Sequence, residues 1–508
     1  VNKQVILAYD LGTSGNKVIL YRPDDGTLLE SGLVTYPVSY ASGNWAEQDA
    51  NSWWEAVCEG TNQVLHTSGS KPRDVACVTF SGQMMGCVPV DSDGRSLRPA
   101  IIWADQRASG QAENIARVVG LEKMYRITGH RVSPSYSAAK IMWIRENEPE
   151  IFEKTYKFLQ AKDYIALRLT GNFVTDYSDA SGTNLFDLTN LVWSKEILQA
   201  IDLPKEKLPV PYPSTAVIGY VNAEAGQATG LAQGTPVVIG GGDGSCAAAG
   251  AGAIGPGIAY NYIGSSSWIG IATSKPIFDG KMRTFNWVHV IPNYCSPTGT
   301  MQAAGASYQW LRDELCTLER EVSSKQGVSV YAVMDNMAAR VPPGSENLLF
   351  LPYLLGERSP RWNPKARGVF IGLTIRHSRS HFIRAVMEGV ALNLRAILDS
   401  FRTQGADVSQ MRLIGGAAKS PVWGQIMADI YGVPIYKSKF PAEATSLGAA
   451  LTGAVGIGLL SDFSRGGKLF KFELAFVPDK DSVKTYQKLY EVFNRTYDYL
   501  VPIFEELS

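Results

Sequence analysis

The stretch VILAYDLGTSGNKVILY, residues 5–21, decides the fold. Val5–Tyr9 and Lys17–Tyr21 read as strands, and the short Gly-rich segment Asp10 to Gly15 joins them, so a hairpin is predicted. Residues 257–273, GIAYNYIGSSSWIGIAT, repeat the order of strand, glycine with small hydroxyl residues, and strand. Gly12 and Gly264 stand 252 positions apart, about half of the 508 residues. Taken alone, the likeness is equally well explained by two unrelated hairpins. At half-length it suits a duplicated domain, and 508 residues exceed what one ordinary core holds. The boundary is expected near 250, in a Gly/Ala-rich stretch where a hinge forms easily, giving units 1–249 and 250–508.

Working outward, Leu28–Tyr36 is expected as a third strand, and Asp49 as the N-cap of a helix that turns Trp53, Trp54 and Val57 inward. Val75–Phe80 and Gly86–Val90 read as strands. Gly110–Val119, Ser137–Glu146 and Ile151–Leu159 read as helices. In the second half, Met301–Leu315, Pro421–Tyr431 and the small-residue stretch Ser446–Gly456 read as helices, and Met411–Ile414 as a strand. The mixture predicts α/β layers.

Composition narrows the class. Forty-eight basic residues balance 48 acidic ones, which gives no reason to expect nucleic acid or an acidic membrane as partner. The six cysteines form no Cys-x-x-Cys pair and read as reduced thiols of a cytoplasmic protein. The first residues lack the long apolar core of a signal peptide. Ala225 to Ser274 carries one charge, Asp243, but is too rich in Gly, Ser, Thr and Pro to span a membrane.

Chemistry concentrates at three glycine turns. In Asp10-Leu-Gly-Thr-Ser14, backbone N–H groups and the hydroxyls of Thr13 and Ser14 can cradle phosphate oxygens, while Asp10 can hold Mg²⁺ through water. A plain hairpin with Asp at its start is the bland alternative. No Walker A loop is present. In GGGDGSCAAAG, residues 240–250, Asp243 stands where a strand gives way to a helix. An N-cap is the ordinary role there. The lack of any charge within about 20 residues before it favours a general base, the one covalent-chemistry group that phosphoryl transfer needs. LIGGAAKS, residues 413–420, is a strand–glycine–helix turn that lets a nucleotide approach the backbone, or a generic tight turn. The five histidines are scattered and suggest no metal site.

The ordered set of segments resembles the FGGY carbohydrate kinases, a branch of the actin/hexokinase/Hsp70 ATPase superfamily. It comprises DLGTS at 10–14, GQM at 82–84, IIWADQR at 101–107, GGGDG at 240–244, IGSSS at 263–267, AAGASYQWL at 303–311 and IGGAAKS at 414–420. SYSAAKIMWIREN at 135–147 and the stretch from Gly368 to Val390 match the family's signatures. The resemblance implies two ribonuclease-H-like domains flanking a cleft, with sugar mainly on the first and ATP mainly on the second. It implies Asp243 as proton acceptor and Asp10, with Asp243 through water, as Mg²⁺ carboxylates. Sugar contacts would fall to Gln83, Met84, Met85, Trp103, Asp105, Arg107, Asp243 and Gly244. ATP contacts would fall to Gly12, Thr13, Ser14, Lys17, Gly264, Ser265, Gly305, Trp310, Gly415, Gly416, Ala417 and Ser420. A homodimer is common among such relatives.

Within the family the chain is most similar to xylulokinases, through WAEQD at 45–49, LQAKDYIALRLTG at 159–171 and LPYLLGERSPRWNPKARGVFIGL at 351–373. D-xylulose is then the first expected acceptor. Two departures bear on that. Met85 stands where xylulokinases carry a histidine, and Gly244 where Asn commonly follows the base. A hydrogen bond to a sugar hydroxyl contributes about 1 kcal/mol net, and an unmade one costs more. Ribulose, glycerol, gluconate or a signalling dihydroxyketone are alternative acceptors, and a non-catalytic nucleotide sensor is the reading from another class.

Overall fold

The computed structural model describes residues 4–42 and 44–508. Two seven-stranded sheets organise it. In the first, Val5–Leu11 pairs antiparallel with Gly15–Arg22, which pairs with Thr27–Thr35. On its other side Val5–Leu11 runs parallel to Val75–Gly82, and the sheet continues through Pro236–Val238 to Val217–Tyr220. In the second, Gly257–Ile263 pairs antiparallel with Ser267–Ile271 and parallel with Val408–Gly415. That sheet extends through Cys295–Met301 to Phe285–Val288 on one side, and through Ile435–Lys437 to Glu473–Phe476 on the other. The sequence echo is thus an echo of topology: Leu11 lies beside Gly82 as Ile263 lies beside Gly415.

Burial explains these elements. Every residue of Val5–Leu11 except Asp10 is buried, the near-continuous apolar run of a strand covered on both faces. Helix Ala50–Ser68 covers one face with Trp53, Trp54 and Val57, and the Asp49 carboxylate caps it by accepting the Asn51 N–H at 2.9 Å. Helix Arg379–Arg402 forms the centre of the second core.

Two helices meet where the halves join. Helix Asp243–Gly250 sets Ala247 and Ala248 beside Tyr260 and Ile414 of the second sheet. Helix Ala444–Gly456 lies on the first sheet, with Leu447, Ala450 and Ala454 clustered beside Ile6, Ala8 and Cys77. Small residues permit the approach: a Cβ on Gly448 would collide with the Cys246 carbonyl, and one on Gly250 with that of Ala444. Each sheet is therefore covered in part by a helix from the other half of the chain.

Three expected elements differ. Ile151–Leu159 is not one helix. Helix Pro149–Lys154 ends at Thr155, and Lys157–Leu159 pairs antiparallel with Val88–Val90. The Tyr156 N–H donates to the Val90 carbonyl at 2.8 Å, so sheet pairing outweighs helix continuation. The strand expected from Gly86 begins at Val88, because Met85 before it has a left-handed φ of 66°. Met301 ends a strand, and the following helix starts only at Gly305. Among the described residues, no helix is long and apolar enough to cross a membrane.

Candidate active site

Asp10 closes the first strand, partly buried, and its Oδ1 accepts from Ser81 Oγ at 2.8 Å. Burial holds its carboxyl above the usual range, while the Ser81 bond and the Lys17 charge pull the other way. The turn that follows is held from behind. Tyr36 donates to the Gly12 carbonyl at 2.6 Å and Gln48 to the Thr13 carbonyl at 2.8 Å. Gln83 in turn donates to Gln48 Oε1 at 2.8 Å. These bonds use carbonyls and leave Ser14 exposed. Lys17 reaches across to the second half, where Nζ donates to the Ala442 carbonyl at 2.7 Å.

Asp243 is the first residue of its helix, and Gly242 occupies the N-cap without a side-chain bond. The aspartate is therefore not the N-cap; among the described residues its Oδ1 accepts only the adjacent Gly244 N–H, at 2.7 Å. Burial, and then the charge of Asp10, pushes its carboxyl up to about 7. A carboxylate with that affinity can take a proton near neutral pH and release it again. Neither Asp10 nor Asp243 is ion-paired among the described residues. Behind Asp243, the Gly242 N–H donates to Ser178 Oγ at 2.8 Å, and Ser178 donates to Asp176 Oδ2 at 2.6 Å. Lys162, fully buried, joins Asp163, Asp176 and Asp179 at 2.7, 2.9 and 3.0 Å. This ionic knot fixes the turn that presents Asp243; Lys162 and Asp163 lie in the 159–171 stretch, but nothing local joins them to Asp176, Asp179 or Asp243.

The residues expected on the acceptor side separate into two groups. Met84 is buried against Gly242, in a cluster with Tyr136, Phe285 and Trp287 that Met85 joins from its edge. His130, which sequence reading set aside, lies in the same place, 2.8 Å from the Tyr136 hydroxyl and 4.4 Å between ring centres from Trp287. Burial depresses its imidazole to about 3, so it stays neutral. The Met85 carbonyl accepts from buried Lys140 Nζ at 2.7 Å. Gly244 faces open space, with no atom within 4 Å of where a Cβ would stand. Trp103 donates from Nε1 to Thr13 Oγ1 at 2.9 Å, tying it to the first loop. Asp105 and Arg107 form the second group. They are buried together at 2.8 Å, Asp105 also accepts the Ala46 N–H, and the Arg107 guanidinium lies 3.7 Å over the Trp45 ring. Their polar atoms are thus occupied in holding the Trp103 segment.

The Gly264 loop and the Gly415 turn converge. The Gly305 N–H donates to the Gly264 carbonyl at 3.0 Å, and the Ala304 and Ala306 N–H groups donate to that of Ser265 at 3.0 and 2.9 Å. A Cβ on Gly305 would collide with the Gly264 carbonyl oxygen. Gly415, at φ 86°, lies against the Ile263 backbone, and Gly416 is exposed beside buried Ala417. Trp310 is placed apart, its ring parallel to that of Phe350 at 6.5 Å. Ser420 caps helix Pro421–Tyr431, accepting the Trp423 N–H at 3.1 Å.

Two duplicated sheets, each ending in a glycine-hydroxyl turn, with a poised carboxylate on the helix between them, define a phosphotransferase. The model for the N-terminal domain of the FGGY family of carbohydrate kinases matches residues 5–250, and that for its C-terminal domain residues 259–457. The chain is 32% identical over 489 residues to the gluconokinase of Bacillus subtilis, covering 96% of this chain and 94% of that one. It is 33% identical over 500 residues to the xylulose kinase of Lactococcus lactis, covering 97% and 96%. A crystal structure of gluconate kinase from Lactobacillus acidophilus superposes with a TM-score of 0.92 at 28% identity, over 99% of this chain and 100% of that one. The protein belongs to the FGGY family of carbohydrate kinases, and as such it is a sugar kinase that uses ATP.

Proposed function

We propose that this kinase transfers the γ-phosphoryl group of ATP to a primary hydroxyl of a ketopentose, D-xylulose first, with Asp243 as general base. The observation that carries the chemistry is the Asp243 carboxyl, held near 7 by burial and by Asp10 at the start of a glycine-rich helix. In this reading residues 1–249 hold the acceptor and the first phosphate loop, and residues 250–508 hold the nucleotide. The acceptor hydroxyl gives its proton to Asp243 as its oxygen attacks phosphorus. Amides of the Gly12 and Gly264 turns, with Thr13, Ser14 and Ser265, take the phosphate charge. Gly305, Gly415, Gly416 and Ala417 line the nucleotide's approach. Closure over both substrates excludes water.

Two partly buried carboxylates that form no ion pair among the described residues fit a hydrated divalent ion, which needs few protein ligands. Asp10, with Asp243 through water, would hold Mg²⁺, which supplies neutralisation of the phosphate charge when bound. Six cysteines without a disulfide suit a cytoplasmic setting.

The sugar rests on the similarity to xylulose kinases, and the Met84–Met85 turn supports a second reading. An apolar side chain where a hydrogen-bonding one is usual, together with the likeness to gluconokinases, makes gluconate the next acceptor. A coupled ADP-release assay over ketoses, polyols and sugar acids tests both. Highest kcat/KM on D-xylulose is expected. Highest kcat/KM on gluconate moves the acceptor and keeps the base, and no acceptor-dependent ADP release on any of them removes the function.

A further inference from the structure

The two hairpins put different side chains at one equivalent position. Asp10 lies two residues before Gly12, opposite Lys17 in the hairpin and beside Ser81 on the parallel strand. Tyr262 lies two residues before Gly264, opposite Trp268 and beside Ile414. Since Leu11–Gly82 and Ile263–Gly415 are matching pairs, Tyr262 is the second hairpin's counterpart of Asp10.

Its ring is fixed. It stacks on Trp268 at 4.0 Å between ring centres and 16° between planes. Trp268 Nε1 donates to the Tyr260 hydroxyl at 3.1 Å, and Tyr260 donates to the Gly244 carbonyl at 2.9 Å. This aromatic row rests on the alanines of the helix that begins with Asp243. The hydroxyl of Tyr262, unlike that of Tyr260, has no hydrogen-bond partner among the described residues, and it is not sealed in the core. It lies over the second loop, since a Cβ on Gly264 would stand 2.9 Å from the phenol oxygen. Burial, and then the charges of Asp10 and Asp243, hold the phenol above the usual tyrosine range, so it is a hydrogen-bond donor at neutral pH.

Resting on the kinase reading, we propose that Tyr262 is a catalytic residue whose hydroxyl donates a hydrogen bond to a γ-phosphoryl oxygen of bound ATP, from the side of the cleft opposite Asp10. During transfer the bond from acceptor oxygen to phosphorus forms as the bond from phosphorus to the β-phosphate oxygen breaks. The acceptor's proton goes to Asp243 and ADP leaves. The phenol keeps its proton throughout and contributes only the hydrogen bond.

Tyr262→Phe keeps the ring and the stack and removes the donor. Binding of Mg²⁺ with ADP, and of Mg²⁺ with the non-hydrolysable analogue AMP-PNP, is measured by calorimetry on the intact chain. The variant is expected to bind AMP-PNP about fivefold to tenfold more weakly, with ADP within about twofold of wild type. With an acceptor that the wild-type enzyme phosphorylates, kcat falls by about tenfold or more. Unchanged binding of both nucleotides, or equal weakening of both, overturns the proposal and leaves Tyr262 a packing residue. Because the binding comparison needs no acceptor, it stands or falls separately from the sugar-kinase reading, which the acceptor panel tests.

Discussion

Gly415→Ala is the sharpest test of how the Gly415 turn, proposed above to receive the nucleotide, is built. Gly415 has φ 86°, a conformation that costs a residue with a Cβ about 1 kcal/mol or more. Its added Cβ would also stand 2.6 Å from the Ile263 carbonyl oxygen and 3.0 Å from the Ile263 nitrogen. Those are backbone atoms of the strand that carries the Gly264 loop, and they cannot swing aside as a side chain would. Ordinary contact requires the two strand ends to separate by several tenths of an ångström, and overpacking of this kind costs about 1–3 kcal/mol. The sum, about 2–4 kcal/mol, is a large fraction of a typical domain's stability. The displacement falls between the Gly264 loop and the Gly415 turn, so under the proposed assignment of that turn to the nucleotide it acts on ATP. Steady-state kinetics and thermal melting check it: KM for ATP should rise about tenfold or more, KM for the acceptor should stay within about twofold, and the melting temperature should drop by several degrees. A variant with wild-type melting and wild-type KM for ATP would refute the reasoning.

Three further outcomes follow from the same geometry. Because the Asp243 carboxyl is raised to about 7, the folded protein keeps a proton there that the unfolded chain has lost, and its stability falls as pH rises from about 4 to about 7. Asp243→Asn should therefore raise the melting temperature at pH 8 and leave it unchanged near pH 4. The full shift corresponds to about 4 kcal/mol, which the partial solvent exposure of Asp243 reduces to about 1–2 kcal/mol. For the wild type, kcat/KM should decline as pH falls through about 7, which a pH–rate profile reads. Gly244→Asn should fold with an unchanged melting temperature, because the Cβ position is open, and should alter KM for the acceptor but not for ATP.

Legibility in the sequence followed the range of the interaction. The hairpins at 5–21 and 257–273 were readable because strand, glycine and hydroxyl residues lie within one short segment. Asp243 stood out because it is the one charge in a long uncharged run. What supports it did not stand out, since Lys162, Asp176 and Ser178 come from a helix, a strand and a short helix well upstream. Neither His130 nor Lys140 was marked as a site residue, although Lys140 lies in the 135–147 signature, because the packing of His130 on Trp287 and the Lys140 bond to the Met85 carbonyl join segments distant in sequence. Asp105 and Arg107 belong to the motif that suggested sugar contacts, yet they pair with each other and Arg107 also pairs with Glu47 at 2.7 Å, which motif order alone does not reveal. The helix expected over 151–159 broke for the same reason, because sheet partners at 88–90 lie outside any local window.

In the proposed mechanism Asp243 takes the acceptor's proton. The most direct measurement is acceptor-dependent ADP release by wild type and Asp243→Ala, with ATP binding to each measured by calorimetry. The account predicts that the variant binds ATP within a few-fold of wild type while turnover falls by about a thousandfold or more. Turnover equal to wild type would contradict it and remove Asp243 from the mechanism.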